Sequence, residues 1–227
     1  MVKLFQVGGS VRDEILGVQS KDLDYSCEAS SFEEMRQFIL DRGGEIFLEQ
    51  PQYFTIRAKI NKDVSDFVLC RKESKYSDGR RPDKVEIGNI FDDLARRDFT
   101  MNAIAKLEDG SYLDVYNGIS DIKNGVIKCV GSTWDRFKED SLRGLRAMRF
   151  EITKNMTMST EITNVLESQK YVDLLHNISQ ERIREELTKC FRHSTLETLR
   201  MLEDFRRVRD FIFDNDSMWL KPTMEEK

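Results

Sequence analysis

Two kinds of apolar patterning divide this chain, and the change between them limits its folds more than any single motif. Up to about residue 130, short strand-like alternations are interleaved with short helical stretches. From Ser132 onward the spacing is helical throughout. Mixed strands and helices followed by helices alone imply an α+β fold. We expect an N-terminal mixed β-sheet with flanking helices over 1–130, then an all-helical part over 131–227. A chain of 227 residues has room for one large domain or two small ones.

Residues 3–7 predict a strand, 10–16 a helix and 22–27 a second strand. Ser30 with Glu33 reads as a capping box before a helix over 32–41, which closes at Gly43-Gly44. A short strand is expected at 45–49. Residues 53–60 and 64–70 alternate about Asn61-Lys62-Asp63, the signature of a hairpin. Residues 72–89 are polar, contain Gly79 and Pro82, and predict a long loop. Residues 91–105 have helical composition, 112–115 read as extended, and 126–130 as the last strand. Helices are expected over 135–152, 159–169, 179–192 and 194–213.

Chemistry enters at Gly8-Gly9-Ser10-Val11-Arg12-Asp13 and at Asp22-Leu23-Asp24. Paired glycines let a ligand approach the backbone, and amides at a helix start favour phosphate. Strand alternation puts Leu23 on one face and both carboxylates on the other. Two carboxylates aimed at one point repel unless a cation lies between them. Hard oxygen ligands suit Mg²⁺, whose shell substrate phosphates can complete. Either piece alone is more often an ordinary turn or a solvated strand end or loop; together they suggest phosphoryl or nucleotidyl transfer. Asp66 lies in an apolar strand on the face of Val64 and Val68. It is either a third carboxylate for that site or an edge-strand residue facing water.

Composition excludes several alternatives. With 39% hydrophobic and 34% charged residues and no membrane-length apolar run, the expectation is a soluble, cytoplasmic protein with no leader before Val2 and no membrane partner. Cys27, Cys70, Cys129 and Cys190 show no Cys-x-x-Cys spacing and read as reduced, mostly buried thiols. His176 and His193 suit surface or packing roles, and no Ser-His-Asp or Cys-His set is apparent. The net charge of −5 does not announce a nucleic-acid binder, yet arginines concentrate at 80–81, 96–97, 143/146/149, 182/184 and 206/207/209.

Asp140, Arg143, Arg146 and Arg149 step by three along one expected helix. As a solvated surface the ridge would carry an Asp140–Arg143 ion pair. As a polar template, its carboxylate would accept from a base's exocyclic amine and an arginine fork would donate to ring nitrogens or phosphate oxygens.

Taken together, these stretches resemble the class II tRNA nucleotidyltransferase family, the CCA-adding enzymes and their bacterial poly(A) polymerase relatives. Gly8 to Gly17 followed by Lys21-Asp22-Leu23-Asp24 is similar to the first family motif, and Arg96 to Ala105 to the second. Leu113 to Asp121 resembles the third, although Asp114-Val115 stands where Asp-Pro is usual. Glu139 to Phe150 resembles the nucleotide-selecting motif and Glu181 to Leu187 the last. The resemblance spans about residues 2 to 192 and implies a catalytic head, a helical neck and the start of a body. The family's long C-terminal body and tail, which grip the tRNA elbow, are expected to be largely absent from the 227 residues. It implies an enzyme that adds CMP and AMP from CTP and ATP to the tRNA 3′ end, with Asp22 and Asp24 holding catalytic magnesium. Gly8, Gly9 and Arg12 would meet the triphosphate and Arg97 the nucleotide. Asp140 and Arg143 would read the base, supported by Arg146 and Arg149, and Asp66 matches a third carboxylate. Residues 76–82 resemble the family's flexible loop, which favours full CCA addition. A poly(A) polymerase, a partial CC- or A-adding enzyme, and an RNA-binding remnant are the alternatives.

Overall fold

Phe5 and Val7 alternate with Leu4 and Gln6 in the first strand, β1 (Lys3–Val7), and the side chains of the following strands sort onto the same two faces. This computed structural model describes residues 2–20, 23–60, 63–74, 76 and 82–214. They fall into two units, one drawn from 2–76 and 82–131, the other from 132–214.

In the first unit, β1 leads into α1 (Gly9–Ile15), β2 (Leu23–Glu28), α2 (Phe32–Asp41), β3 (Glu45–Gln50), β4 (Thr55–Ile60) and β5 (Asp63–Leu69). With β8 (Ala105–Lys106) and β9 (Tyr112–Leu113), the strands form a seven-stranded mixed sheet in the order β3-β4-β5-β2-β1-β8-β9. The expected α+β class holds, as does the β4–β5 hairpin. One face of the sheet buries Cys27, Met35, Ile39, Ile56, Phe67 and Leu69, with α2 across it. The other buries Phe5, Val7, Ile90, Leu94 and Ala103. Each large apolar side chain removed from water in this way contributes about 1.5–3 kcal/mol.

Several expectations need correction. The α2 cap is shifted by one residue: Ser31 accepts from the Glu34 amide at 3.0 Å, while the Glu34 carboxylate reaches back to the Ser30 amide at 2.7 Å. Residues 72–89 are not simply a loop. β6 (Arg71–Ser74) and β7 (Lys84–Ile87) pair antiparallel as a ribbon. Its charged residues on both faces concealed the alternation. The expected helix over 91–105 stops early, as α3 (Ile90–Ala95). Beyond it the Asp98 carboxylate takes the Phe99 amide at 2.8 Å and the Asn102 side chain at 2.9 Å. Such local bonding competes with helix formation, and a short 3₁₀ turn (Thr100–Asn102) follows instead. α4 (Gly118–Lys123) begins where Asp114 accepts from the Gly118 and Ile119 amides at 2.7 and 2.9 Å, a structural use of the third-motif aspartate. The strand expected over 126–130 is reduced to β10 (Val126–Ile127).

In the second unit the segment read as one helix over 135–152 is two, α5 (Thr133–Glu139) and α6 (Leu142–Lys154). β11 (Thr157–Met158) interrupts the helical run, and α7 (Thr160–Leu166) is followed by α8 (Gln169–Leu175), which the spacing did not reveal. α9 (Gln180–His193) matches expectation. The last segment breaks at buried Phe205 into α10 (Thr195–Asp204) and α11 (Arg206–Asp214). All four cysteines are buried free thiols, and burial pushes Cys27 and Cys190 up to about 12. No helix among the described residues is long and apolar enough to cross a membrane.

Candidate active site

The turn from β1 into α1 is made at Gly8, with φ 76° and ψ −138°, a region essentially reserved for glycine. A Cβ there would stand 3.1 Å from Nη1 of Arg97 and 3.7 Å from Oδ2 of Asp24. A guanidinium and a carboxylate therefore flank one bare stretch of backbone. At the next residue, a Cβ on Gly9 would stand 3.4 Å from Nη2 of Arg12. The structure thus brings Gly8, Gly9, Arg12, Asp24 and Arg97 together.

The cationic side is held from behind. Arg97 donates through Nη2 to Asp93 at 3.0 Å and to Ser26 Oγ at 3.4 Å, and through Nη1 to the Asn102 carbonyl at 3.2 Å. Asp93 is fully buried and also takes Arg96 at 2.6 Å and the Ser26 hydroxyl at 2.8 Å. Burial alone would raise its pKa. The Arg96 and Arg97 charges and the Ser26 hydrogen bond outweigh that and hold it down, at about 2. Arg12 is buried as well. It donates to Asp13 at 2.9 Å and to the Asn102 side chain at 2.8 Å. Asn102 thus serves both arginines. Sequence reasoning missed Ser26, Asp93 and Asn102 as organisers, although Asn102 lay within the Arg96 to Ala105 run it singled out.

The anionic side is incomplete in the described residues. Asp24 is exposed on β2, opposite Val7 of β1 and beside Asp66 of β5 in parallel register. Register partners on adjacent strands share a face, so Asp66 is on the side the motif requires. It is not on an edge strand, because β5 runs between β4 and β2. Its carboxylate is gripped at both oxygens by Arg57 of β4, at 2.7 and 2.8 Å. Asp22 lies outside the described residues, and among those described no group of three His, Cys, Asp or Glu is placed to hold a metal. Of the expected loop at 76–82 only Tyr76 and Pro82 are described. The Tyr76 hydroxyl donates to Glu73 at 2.6 Å, and Glu73 also takes Arg71 at 2.7 Å and Arg96 at 3.3 Å.

In the second unit Asp140 leaves the helix. With φ −148° and ψ 103° it is an extended residue between α5 and α6. Only Arg143, Arg146 and Arg149 share α6, so the four-residue ridge is corrected to three. The partner of Asp140 is not Arg143 but Arg182 of α9, which donates to both oxygens at 3.2 and 2.8 Å. Arg143 donates to Glu139 at 2.9 Å and Arg149 to buried Glu186 at 2.5 Å. The Arg146 and Arg149 guanidinium carbons lie 5.5 and 4.1 Å from the Phe150 ring centroid.

Residues 4–128 match the family described as the poly(A) polymerase head domain, and 155–207 match the probable RNA- and SrmB-binding site of polymerase A. The CCA-adding enzyme of Levilactobacillus brevis is 37% identical over 184 residues, which is 81% of this chain and 45% of that protein. The Lactococcus lactis subsp. cremoris CCA-adding enzyme is 36% identical over 81% of this chain and 45% of its own length. The chain therefore spans about half the length of the curated relatives it matches. Among solved structures, the Bacillus stearothermophilus CCA-adding enzyme in complex with CTP superposes with a TM-score of 0.77 at 27% identity, covering 88% of this chain and 47% of that one. A tRNA nucleotidyltransferase complexed with a primer tRNA and an incoming ATP analogue gives 0.78 at 28% identity, covering 96% and 61%.

Proposed function

Since the chain belongs to the poly(A) polymerase head-domain family, in which its matched relatives are CCA-adding enzymes, we propose that it is a tRNA nucleotidyltransferase that adds CMP and AMP from CTP and ATP to the tRNA 3′ end. The observation that carries this reading is the bare Gly8 backbone between Arg97 and Asp24. It offers cationic donors for phosphate oxygens and a carboxylate for a cation within one stretch of backbone.

In this reading residues 1–130 are the catalytic head and 131–227 a neck and partial body for nucleotide selection and RNA contact. Gly8 and Gly9 let the triphosphate lie against the backbone, and Arg12 and Arg97 supply positive charge. Both guanidinium groups are already fixed by Asn102, so little side-chain freedom is lost on binding. Exposed Asp24 and the neighbouring Asp22 are hard-oxygen donors that suit Mg²⁺. Magnesium bound there would lower the pKa of the attacking hydroxyl and neutralise the leaving oxygens. The tRNA 3′ oxygen bonds to the α-phosphorus as its proton departs. The bond from that phosphorus to the bridging oxygen breaks, and pyrophosphate leaves. The protein's part is positioning and electrostatics.

Base choice is assigned to Asp140 and Arg143, supported by Arg146 and Arg149. On their Watson–Crick edges C and A each present an exocyclic amine beside a ring-nitrogen acceptor, an arrangement U and G lack there. Asp66, paired with Arg57, is assigned a supporting electrostatic role beside Asp24.

The test is labelled CTP and ATP, offered separately and together to a tRNA lacking its terminal CCA, with magnesium. The wild-type chain should add two C and one A, and Asp24→Ala should add nothing while keeping its thermal transition. A long A tract would favour the poly(A) polymerase reading. tRNA binding with no incorporation under any condition would leave an RNA-binding remnant. Undiminished incorporation by Asp24→Ala would end the metal assignment.

A further inference from the structure

Between α5 and α6 the sequence offers neither glycine nor proline at the break, and its spacing reads as one continuous helix. At the interruption the Asp140 carboxylate takes the Leu142 amide at 3.2 Å, a local bond that competes with helix formation. Two contacts from α8 add to it. Tyr171, fully buried, donates its hydroxyl to the Ser141 carbonyl at 2.9 Å, and the Ser141 hydroxyl donates back to the Leu174 carbonyl at 3.0 Å. The Tyr171 ring also occupies the space beside Gly144. A Cβ at that position would stand 2.1 Å from the phenol oxygen and 2.4 Å from its ring carbon. Any larger residue there would expel the ring, which is itself wedged against Phe137 at 5.5 Å between centroids. Burial pushes the phenol pKa well up, so the hydroxyl remains a hydrogen-bond donor across the working pH range.

We propose that Tyr171 is a specificity-positioning residue: by pinning Ser141 in the gap that Gly144 leaves, it keeps Asp140 out of the helix and its carboxylate in one orientation. The inference rests on the assignment of Asp140 as a base reader. Asp140 itself shows how a fixed backbone becomes a fixed carboxylate. Its Oδ1 accepts from the Leu142 amide at 3.2 Å and from Arg182, and Oδ2 accepts from Arg182 at 2.8 Å. A carboxylate anchored to the first amide of α6 turns with the start of that helix. When the Tyr171 hydroxyl is lost, the Ser141 carbonyl keeps only its bond from the Gly144 amide, the Ser141 hydroxyl alone still ties this turn to α8 through Leu174, and Asp140 regains access to helical geometry. Discrimination between bases whose donor and acceptor positions are exchanged depends on that angle, because hydrogen bonds weaken steeply off axis.

The experiment is calorimetric titration of the full chain with CTP and, separately, UTP. CTP has an exocyclic amine that donates to a carboxylate, where UTP has a carbonyl oxygen, and the two also differ in whether ring N3 accepts or donates. Tyr171→Phe, Ser141→Ala and Asp140→Ala are compared with wild type, each at a temperature below its own unfolding transition. The ratio of the two affinities is the readout, since a general loss of stability weakens both nucleotides alike. The CTP preference should fall by about fivefold in Tyr171→Phe, a factor typical of one hydrogen bond, and in the same direction in Ser141→Ala. Should Tyr171→Phe fail to fold, Ser141→Ala decides alone. An unchanged ratio in the folded variants, with the preference lost in Asp140→Ala, overturns the positioning role and leaves the base reader standing. A ratio unaffected by Asp140→Ala overturns both.

Discussion

Replacing Gly8 by alanine tests two consequences of one backbone position. At φ 76° and ψ −138° an L-residue is strained, which costs about 1–3 kcal/mol. For a chain of this size each kcal/mol lowers the unfolding temperature by about 2–4 °C, so Gly8→Ala should melt several degrees below wild type. The second consequence is local. The new methyl would sit 3.1 Å from Arg97 Nη1, closer than side-chain carbons normally approach. Arg97 is tied to Asp93, Ser26 and Asn102, so it yields only by lengthening one of those bonds. Losing one charge-assisted hydrogen bond of about 1.5–3 kcal/mol corresponds to roughly ten- to a hundredfold in triphosphate affinity. Gly17 provides the control: its φ is also positive, at 73°, but a Cβ there meets nothing within 4 Å. Gly17→Ala should lose stability and keep affinity. Scanning calorimetry and nucleotide titration on both variants separate the effects. Equal affinity in Gly8→Ala and wild type would refute the claim that Arg97 and Gly8 form one phosphate-facing surface.

Two further outcomes follow from the charges around that turn. The buried Asp93 carboxylate has its pKa depressed to about 2, so its contribution is present above the ordinary carboxylate value and is lost as pH falls from about 4 through about 2. Asp93→Asn should be destabilised by about 3–5 kcal/mol near neutral pH, since it leaves two guanidinium groups facing a neutral amide. Denaturant titrations from pH 6 to 2 should show a shallower acid loss in the variant, and parallel curves would contradict the assignment. Arg57→Ala, by contrast, removes a pair whose members are 54% and 31% exposed, and the stability change should stay within about 1 kcal/mol despite the good geometry. A larger loss on thermal unfolding would mean that Asp66 is costlier to leave alone than its exposure implies.

The sheet was largely legible in the sequence because its strands alternate against two cores. β1, β2 and the β4–β5 hairpin follow from apolar spacing at Phe5, Val7, Ile56, Phe67 and Leu69. The glycine turn and the exposed Asp24 were legible for a different reason, since special backbone and closely spaced carboxylates stand out locally. What was hidden depends on polar side chains and their partners rather than on apolar spacing. β6 and β7 carry charged residues on both faces. Residues 91–105 were diverted by the Asp98 side chain, and the break at Asp140 draws on its own bond to the Leu142 amide and on contacts from α8. Arg182 as the partner of Asp140 could not be read from spacing, because an ion pair between distant segments leaves no periodic trace, whereas Asp93 stands four residues before Arg97, a spacing that could have pointed to it.

Asn102 gives its side-chain oxygen to Arg12 and its main-chain oxygen to Arg97. Two cations that lie 85 positions apart in the chain therefore share a single mooring on one short turn, and neither can be retuned in isolation. Anyone redesigning this protein for a different anion would have to rebuild the turn from Asp98 to Asn102 as a block, and lineages that drift at one arginine would be expected to drift at the asparagine as well.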